Sequence, residues 1–187
     1  KTNDSKFKNF KFTNNLDLVN SEFTVDFDLS ENIFIDLINF KTNKEKLGSI
    51  SSRFILDKNG LNIESFNFSE EDNLIEVKNL KLNKKNQIYQ LKNIKINTFN
   101  DGSKNNDFEI IFGKKILIKG KKYDATYLLN QLTSDEDTTL LKRINKEVEI
   151  NLNSLITKSL IPLNNFRLIG KIEKGEFVKI SSKSEFK

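Results

Sequence analysis

The sequence predicts a mainly β fold, laid out as a meander of antiparallel neighbours. Apolar and polar residues alternate along much of its 187 residues. Short polar stretches carrying Gly, Asn or Asp break the alternation at hairpin spacing. The chain also holds 16 Phe but a single Pro, so the strands keep their ladder donors.

Alternation is the primary signal. Period two puts one face of a strand in an apolar setting and the other in water. Phe23, Val25, Phe27 and Leu29 alternate with Thr24, Asp26 and Asp28. Ile75 and Val77 lead through Asn79 into Leu80 and Leu82, and Leu91, Ile94 and Ile96 continue the pattern. Phe108, Ile110 and Phe112 follow, then Ile116 and Ile118, then Val148, Ile150 and Leu152. Phe166 to Ile169 and Phe177 to Ile180 close the series. Branched and aromatic residues at these positions suit a pleated, half-buried surface.

Five polar connections read as turns: 57–60, 83–86, 100–103, 113–115 and 173–176. Asn and Gly tolerate the positive φ that tight hairpins need. One interruption reads as helical. Asp124 is placed to cap a stripe of Ala125, Leu128, Leu129 and Leu132, and a second short helix is expected near 138–144. The stretch 32–40 has apolar residues at both periods and reads as strand or irregular. No composition shift splits the chain, so it is expected to be a single segment of a larger repetitive sheet with a helical insertion over about 124–144. The sequence begins at Lys1 and holds no Met, which reads as an excised or processed piece.

Composition narrows the chemistry. Charged residues make up 30%, the net charge is +5 and the mean hydropathy is −0.52. The basic residues are spread among 26 acids, and Lys84-Lys85 and Lys119 to Lys122 fall near expected turns. They read as solvated charge, and no nucleic-acid partner is expected. With no His and no Cys, imidazole-dependent triads and structural zinc sites have no ligands to build on. The 7 Gly are too dispersed for a phosphate loop. Three acidic groups are candidate catalytic carboxylates: Asp26 with Asp28, Glu70 to Asp72, and Asp135 to Asp137. Acids on a wet strand face or in a polar loop are ordinary solvation, and no enzyme activity, metal or cofactor is expected.

One stretch resembles a known family. Asn106 to Ile110, then Gly113 to Gly120, then Tyr123-Asp124-Ala125 leading to Leu128-Leu129, is similar to the C-terminal region of the large AsmA-like proteins, the YhdP and TamB group. There a strand ending in Gly commonly leads to a short Asp-Ala-x-x-Leu-Leu-like helix before alternating strands resume, as Glu147 to Leu152 does here. The resemblance implies an elongated, curved, open β-groove that shelters phospholipid acyl chains between inner and outer membranes. It also implies a periplasmic setting, with an inner-membrane anchor supplied by a segment outside this chain. The apolar residues named above from Ile75 to Ile118, with Phe66, Phe68, Ile150 and Leu152, then become groove-lining candidates. The same alternation also builds a closed core, with the chain acting as a structural or adhesive module for a protein partner. An outer-membrane barrel fits less well, because no Trp and 3 Tyr leave its aromatic girdles thin.

Overall fold

The computed structural model describes residues 9–16, 21–43, 45–85, 88–128, 145–159, 161–174 and 176–185. The strands in chain order are β1 (Phe10–Leu16), β2 (Ser21–Leu29), β3 (Phe34–Ile35), β4 (Phe40–Lys41), β5 (Gly48–Asp57), β6 (Gly60–Glu70) and β7 (Asn73–Asn83). They continue with β8 (Ile88–Gln90), β9 (Asn93–Asn100), β10 (Ser103–Phe112), β11 (Ile116–Asp124), β12 (Lys146–Ile156), β13 (Leu163–Glu173) and β14 (Glu176–Glu185). The chain is mainly β, and its strand order does not close into a barrel.

It divides into two compact units. Unit one comprises Lys1–Phe34 with Lys41–Ile94, and unit two comprises Ile35–Phe40 with Lys95–Lys187. No linker composition marks this division, because it falls at Ile94 and Lys95, inside the strand rhythm itself.

Unit one is an antiparallel succession, β1-β2-β5-β6-β7, with β8 also pairing β7. The turn expected at 57–60 is present, and the one expected at 83–86 lies partly outside the described residues. Asp57 Oδ1 accepts from the amides of Asn59 at 2.6 Å and Gly60 at 3.1 Å, shaping the β5–β6 connection. Gly60 sits at φ 142, and a Cβ there would meet Leu82 O at 2.2 Å, so glycine is required. Asn79, at φ 52, is a left-handed residue inside β7. It stands opposite Glu64, so β6 and β7 make the same three-residue step together, Phe66 facing Val77 and Ile63 facing Leu80, and their register does not change. The register shift lies between β5 and β6, at Arg53 and Phe54, and with it Leu80 and Leu82 return to the face of Ile75 and Val77.

Unit two runs β9-β10-β11-β12-β13-β14. Asp101 (φ 48) and Gly102 (φ 74) make the two-residue β9–β10 turn with the mirror-image geometry that hairpin twist favours. A purely antiparallel meander is corrected at one place: β11 and β12 are parallel, from Ile116↔Val148 to Asp124↔Ile156. Turn residues show where a chain reverses, but the return path that makes two strands parallel leaves no such mark. The helices expected at 125–132 and 138–144 lie mostly outside the described residues. What is described agrees at the start: Asp124 Oδ1 accepts from Thr126 N and Oγ1 at 3.2 and 2.6 Å, and Leu128 N donates to Ala125 O.

The stretch 32–40 is two very short strands around a 3-10 turn at Asp36–Ile38. Asn39 closes that turn in the left-handed region at φ 44. Asn tolerates this backbone better than the branched residues around it. The core of unit two holds Leu152 and Phe40, both fully buried, with Phe108, Val148 and Ile96.

Candidate functional site

Register settles which strand face is apolar in each unit. In unit one Phe27 opposes Ile50, which opposes Phe68, which opposes Ile75. The next row is Val25, Ser52, Phe66 and Val77, and the one after it Phe23, Phe54, Ile63 and Leu80. Leu56, Leu61 and Leu82 form a fourth. The opposite face carries rows such as Asp26, Ser51, Asn67 and Glu76. Each strand therefore has one apolar and one wet side, and all strands of the unit agree on which is which.

The same holds in unit two. Phe112, Ile116, Val148 and Gly170 form one row, and Ile110, Ile118, Ile150 and Leu168 the next. Phe108, Gly120, Leu152 and Phe166 form the third. Glycine enters this face where the neighbouring strand's backbone or a ring comes close. A Cβ on Gly120 would stand 2.5 Å from Phe108 Cα, and one on Gly170 3.1 Å from the Phe177 ring. Gly48 of unit one is likewise covered by the Phe68 ring, at 3.1 Å.

The candidates named from sequence are eight in each unit. Phe66, Phe68, Ile75, Val77, Leu80 and Leu82 share the apolar face of unit one. Phe108, Ile110, Phe112, Ile116, Ile118, Ile150 and Leu152 share that of unit two. Leu91 lies in the link before β9, while Ile94 and Ile96 lie on β9 itself. Six of the sixteen are buried (Phe68, Ile75, Ile96, Phe108, Ile116 and Leu152) and the other ten are half-buried.

On the N-terminal side the apolar face extends beyond the sixteen candidates. The apolar face of unit one continues through β5, β2 and β1 as an aromatic series. Phe54 stacks on Phe23 at 5.2 Å, Phe23 meets Phe12 at 5.6 Å, and Phe27 meets Phe10 at 6.4 Å. The alternation of Phe23 to Leu29 was its signal. Serines at 49, 51 and 52 hid the strand that joins it to Phe66 and Phe68. Phe10 is 65% exposed, Phe12 47% and Leu56 51%, so this side of the face is open to solvent. Apart from Phe34 and Lys41 of the small β3–β4 sheet, every strand described in unit one before β9 belongs to this one sheet.

At one strand end in each unit the apolar surface gives way to a buried polar row. In unit two, Asn106 is the hub: its Nδ2 donates to Ile38 O at 2.6 Å and to Thr98 Oγ1 at 2.8 Å, and its Oδ1 accepts from Asp124 N at 2.9 Å. Asn105 and Asn100 donate to Asn39 O at 2.8 and 2.6 Å, Tyr123 donates to Leu37 O at 2.8 Å, and Asn39 Nδ2 donates to Asp124 Oδ2 at 2.9 Å. Three successive carbonyls of the 3-10 turn are thus held by side chains, and the turn is strapped across the strand ends. Loss of water around the Tyr123 phenol, then the nearby Asp124 carboxylate, hold its pKa above the usual tyrosine value.

In unit one Glu70 plays the comparable part. The sequence suggested a solvated acid, but Glu70 is 3% exposed. Its carboxylate accepts from Asn43 N at 3.0 Å and from buried Asn73 Nδ2 at 3.2 Å. A turn amide and an amide side chain therefore replace the water that the carboxylate loses. Asp26 and Asp28 lie on the wet face, and Asp135 to Asp137 lie outside the described residues.

Among the described residues no cluster of acidic side chains is arranged to hold a metal ion, and no helix is long and apolar enough to cross a membrane. No protein family, curated protein or solved structure matches the chain.

Proposed function

We propose that this chain is a segment of an AsmA-like envelope protein that shelters phospholipid acyl chains along its apolar β face for passage between the inner and outer membranes. The observation that carries the reading is the apolar face of unit one. It runs over five strands, exposed at Phe10 and Phe12, half-buried through Phe23, Phe54, Phe66 and Val77, and buried at Phe68 and Ile75. A partly exposed apolar surface of this extent marks a place where something apolar binds.

Acyl chains fit its chemistry. Each buried methylene gains about 0.8 kcal/mol relative to water, without any directed polar contact. A bilayer offers the same gain, so a chain moves between membrane and protein at nearly constant free energy. Transport needs that balance, and a tight, specific pocket would defeat it. The wet face stays in water, as befits the periplasm, and an anchor in flanking chain would keep the segment near the inner membrane. In this reading the chain carries out no bond chemistry of its own.

The experiment is lipid extraction and mass spectrometry on protein purified without detergent from bacterial cells. Phospholipid should co-purify and should be lost in Ile118→Asp, a half-buried position on the apolar face of unit two, with circular dichroism unchanged. Lipid-free, cooperatively folded protein would sink the proposal.

A second reading rests on β14. All but one of its ten residues are exposed, Phe177, Val178 and Ile180 among them. An edge strand of this kind can add a strand from a protein partner, making the chain a structural or adhesive module. A stoichiometric protein partner captured without lipid would favour it.

A further inference from the structure

We propose that a dent on the wet face of unit two, between β13 and β14, binds a phosphate-type oxyanion. Register brings Arg167 directly opposite Lys183. Like charges opposite one another on a sheet face repel and destabilise the pairing. Their row across the unit reads Glu109, Lys119, Asn151, Arg167, Lys183. Lys119 is neutralised by Glu109 at 2.9 Å, and elsewhere on the same face Lys171 pairs with Glu173 at 2.5 Å and Lys115 with Glu149. Among the described residues neither Arg167 nor Lys183 joins an ion pair.

The backbone shapes the space in front of them. Asn165, at φ 50, makes a bulge that shifts the register between Asn164 and Arg167. The result is a dent of about 260 Å³ lined by Asn165, Arg167, Lys183, Ser184 and Glu185. Arg167 is held in place through one nitrogen, its Nη1, which donates to the carbonyls of Leu152 and Phe166, both at 2.9 Å. Nη2 and Nε remain for a ligand, and together they form the fork that matches two oxygens of a phosphate. Lys183 adds a second positive charge and Ser184 a hydroxyl. Glu185, the one acid present, is engaged by Asn165 Nδ2 at 2.7 Å. The site is on the face opposite unit two's own apolar rows, so it stands or falls apart from the lipid reading.

The test titrates the full chain with inorganic phosphate, at an ionic strength fixed with chloride, and follows backbone amide shifts. Saturable shifts confined to residues near 164–168 and 182–185 are expected. In Lys183→Glu, which gives Arg167 an acid and relieves the repulsion, the protein should fold at least as well. Its phosphate affinity should fall about tenfold or more, the effect of losing one charge-assisted contact. A second arm measures binding to phosphatidylcholine vesicles with and without phosphatidylglycerol. Binding that needs phosphatidylglycerol and is lost in Lys183→Glu assigns the oxyanion to a lipid headgroup. Phosphate saturation without vesicle binding assigns it to a soluble phosphate compound. No response in either arm, or equal responses in wild type and folded Lys183→Glu, overturns the proposal.

Discussion

Replacing Asn106 by Ala asks what holds the strap of residues 37–39. Asn106 is fully buried and makes three hydrogen bonds, to Ile38 O, Thr98 Oγ1 and Asp124 N. Thr98 keeps a partner after the truncation, because its hydroxyl also donates to Asn105 Oδ1 at 2.8 Å. Asp124 N loses its one described partner, and Ile38 O keeps only the long 3.4 Å contact from Asn105. A buried polar group stranded in this way costs about 1–3 kcal/mol. Two of them, with the small void left by the amide, put the loss at about 3–5 kcal/mol. Urea unfolding of wild type and variant measures it, and hydrogen exchange locates it. The Asp124 amide should exchange roughly a hundredfold faster or more, since each 1.4 kcal/mol is a factor of ten. Thr98→Val, which keeps the volume but removes both the bond accepted from Asn106 Nδ2 and the bond donated to Asn105 Oδ1, should cost about 1–3 kcal/mol. A loss below about 1 kcal/mol for Asn106→Ala, with Asp124 exchange unchanged, would refute the account. The strap would then rest on burial of Ile38 and Phe40 alone.

Other outcomes follow from single contacts. Gly120→Ala should destabilise unit two by about 3 kcal/mol or more by urea titration, because its Cβ would lie 2.3 Å from Asp107 O, a backbone atom that cannot swing aside. Leu152→Ala, at a fully buried position, should cost about 2–5 kcal/mol, whereas Ile169→Ala, 68% exposed on the other face of the same unit, should cost under about 0.5 kcal/mol. Tyr123 gives a pH dependence whose sign is fixed by its raised pKa. Above the usual tyrosine value the unfolded phenol ionises while the folded one does not, so its stabilisation is full below about pH 10 and is lost as pH rises beyond it. Tyr123→Phe should flatten the alkaline slope of stability, and an unchanged slope would remove Tyr123 as its cause.

The faces were legible in the sequence wherever alternation was clean. Phe108, Ile110 and Phe112 could lie only on one side of a strand, and register confirms that they share it with Ile116 and Ile118. Legibility failed where a strand kept its period but lost its contrast. In β5 the serines occupy both faces, so the path from Phe23 through Phe54 to Phe66 did not stand out. Long-range polar matching was hidden more deeply. Asn105 and Asn106 lie in the polar first half of β10, ahead of Phe108, and their acceptors are main-chain carbonyls more than sixty residues earlier. A carbonyl has no residue identity to read. The Arg167–Lys183 juxtaposition is likewise a product of register, and sixteen positions of sequence separate its members.

The parallel pairing of β11 with β12 sets an order of events for folding. Hairpins such as β12–β13 and β13–β14 close over short loops, on a timescale of about 1–10 μs. The β11–β12 contact cannot form that way. Ile116 must meet Val148 at the same strand end, so the chain leaving Asp124 has to travel back the length of a strand before Lys146 can begin. Closing that longer circuit adds an entropic delay that no local turn shortens. The three C-terminal strands should therefore assemble first as a free-standing ribbon with both edges unpaired. During that interval the edge of β12 that later receives β11 is available to any other strand, including one from a second nascent chain.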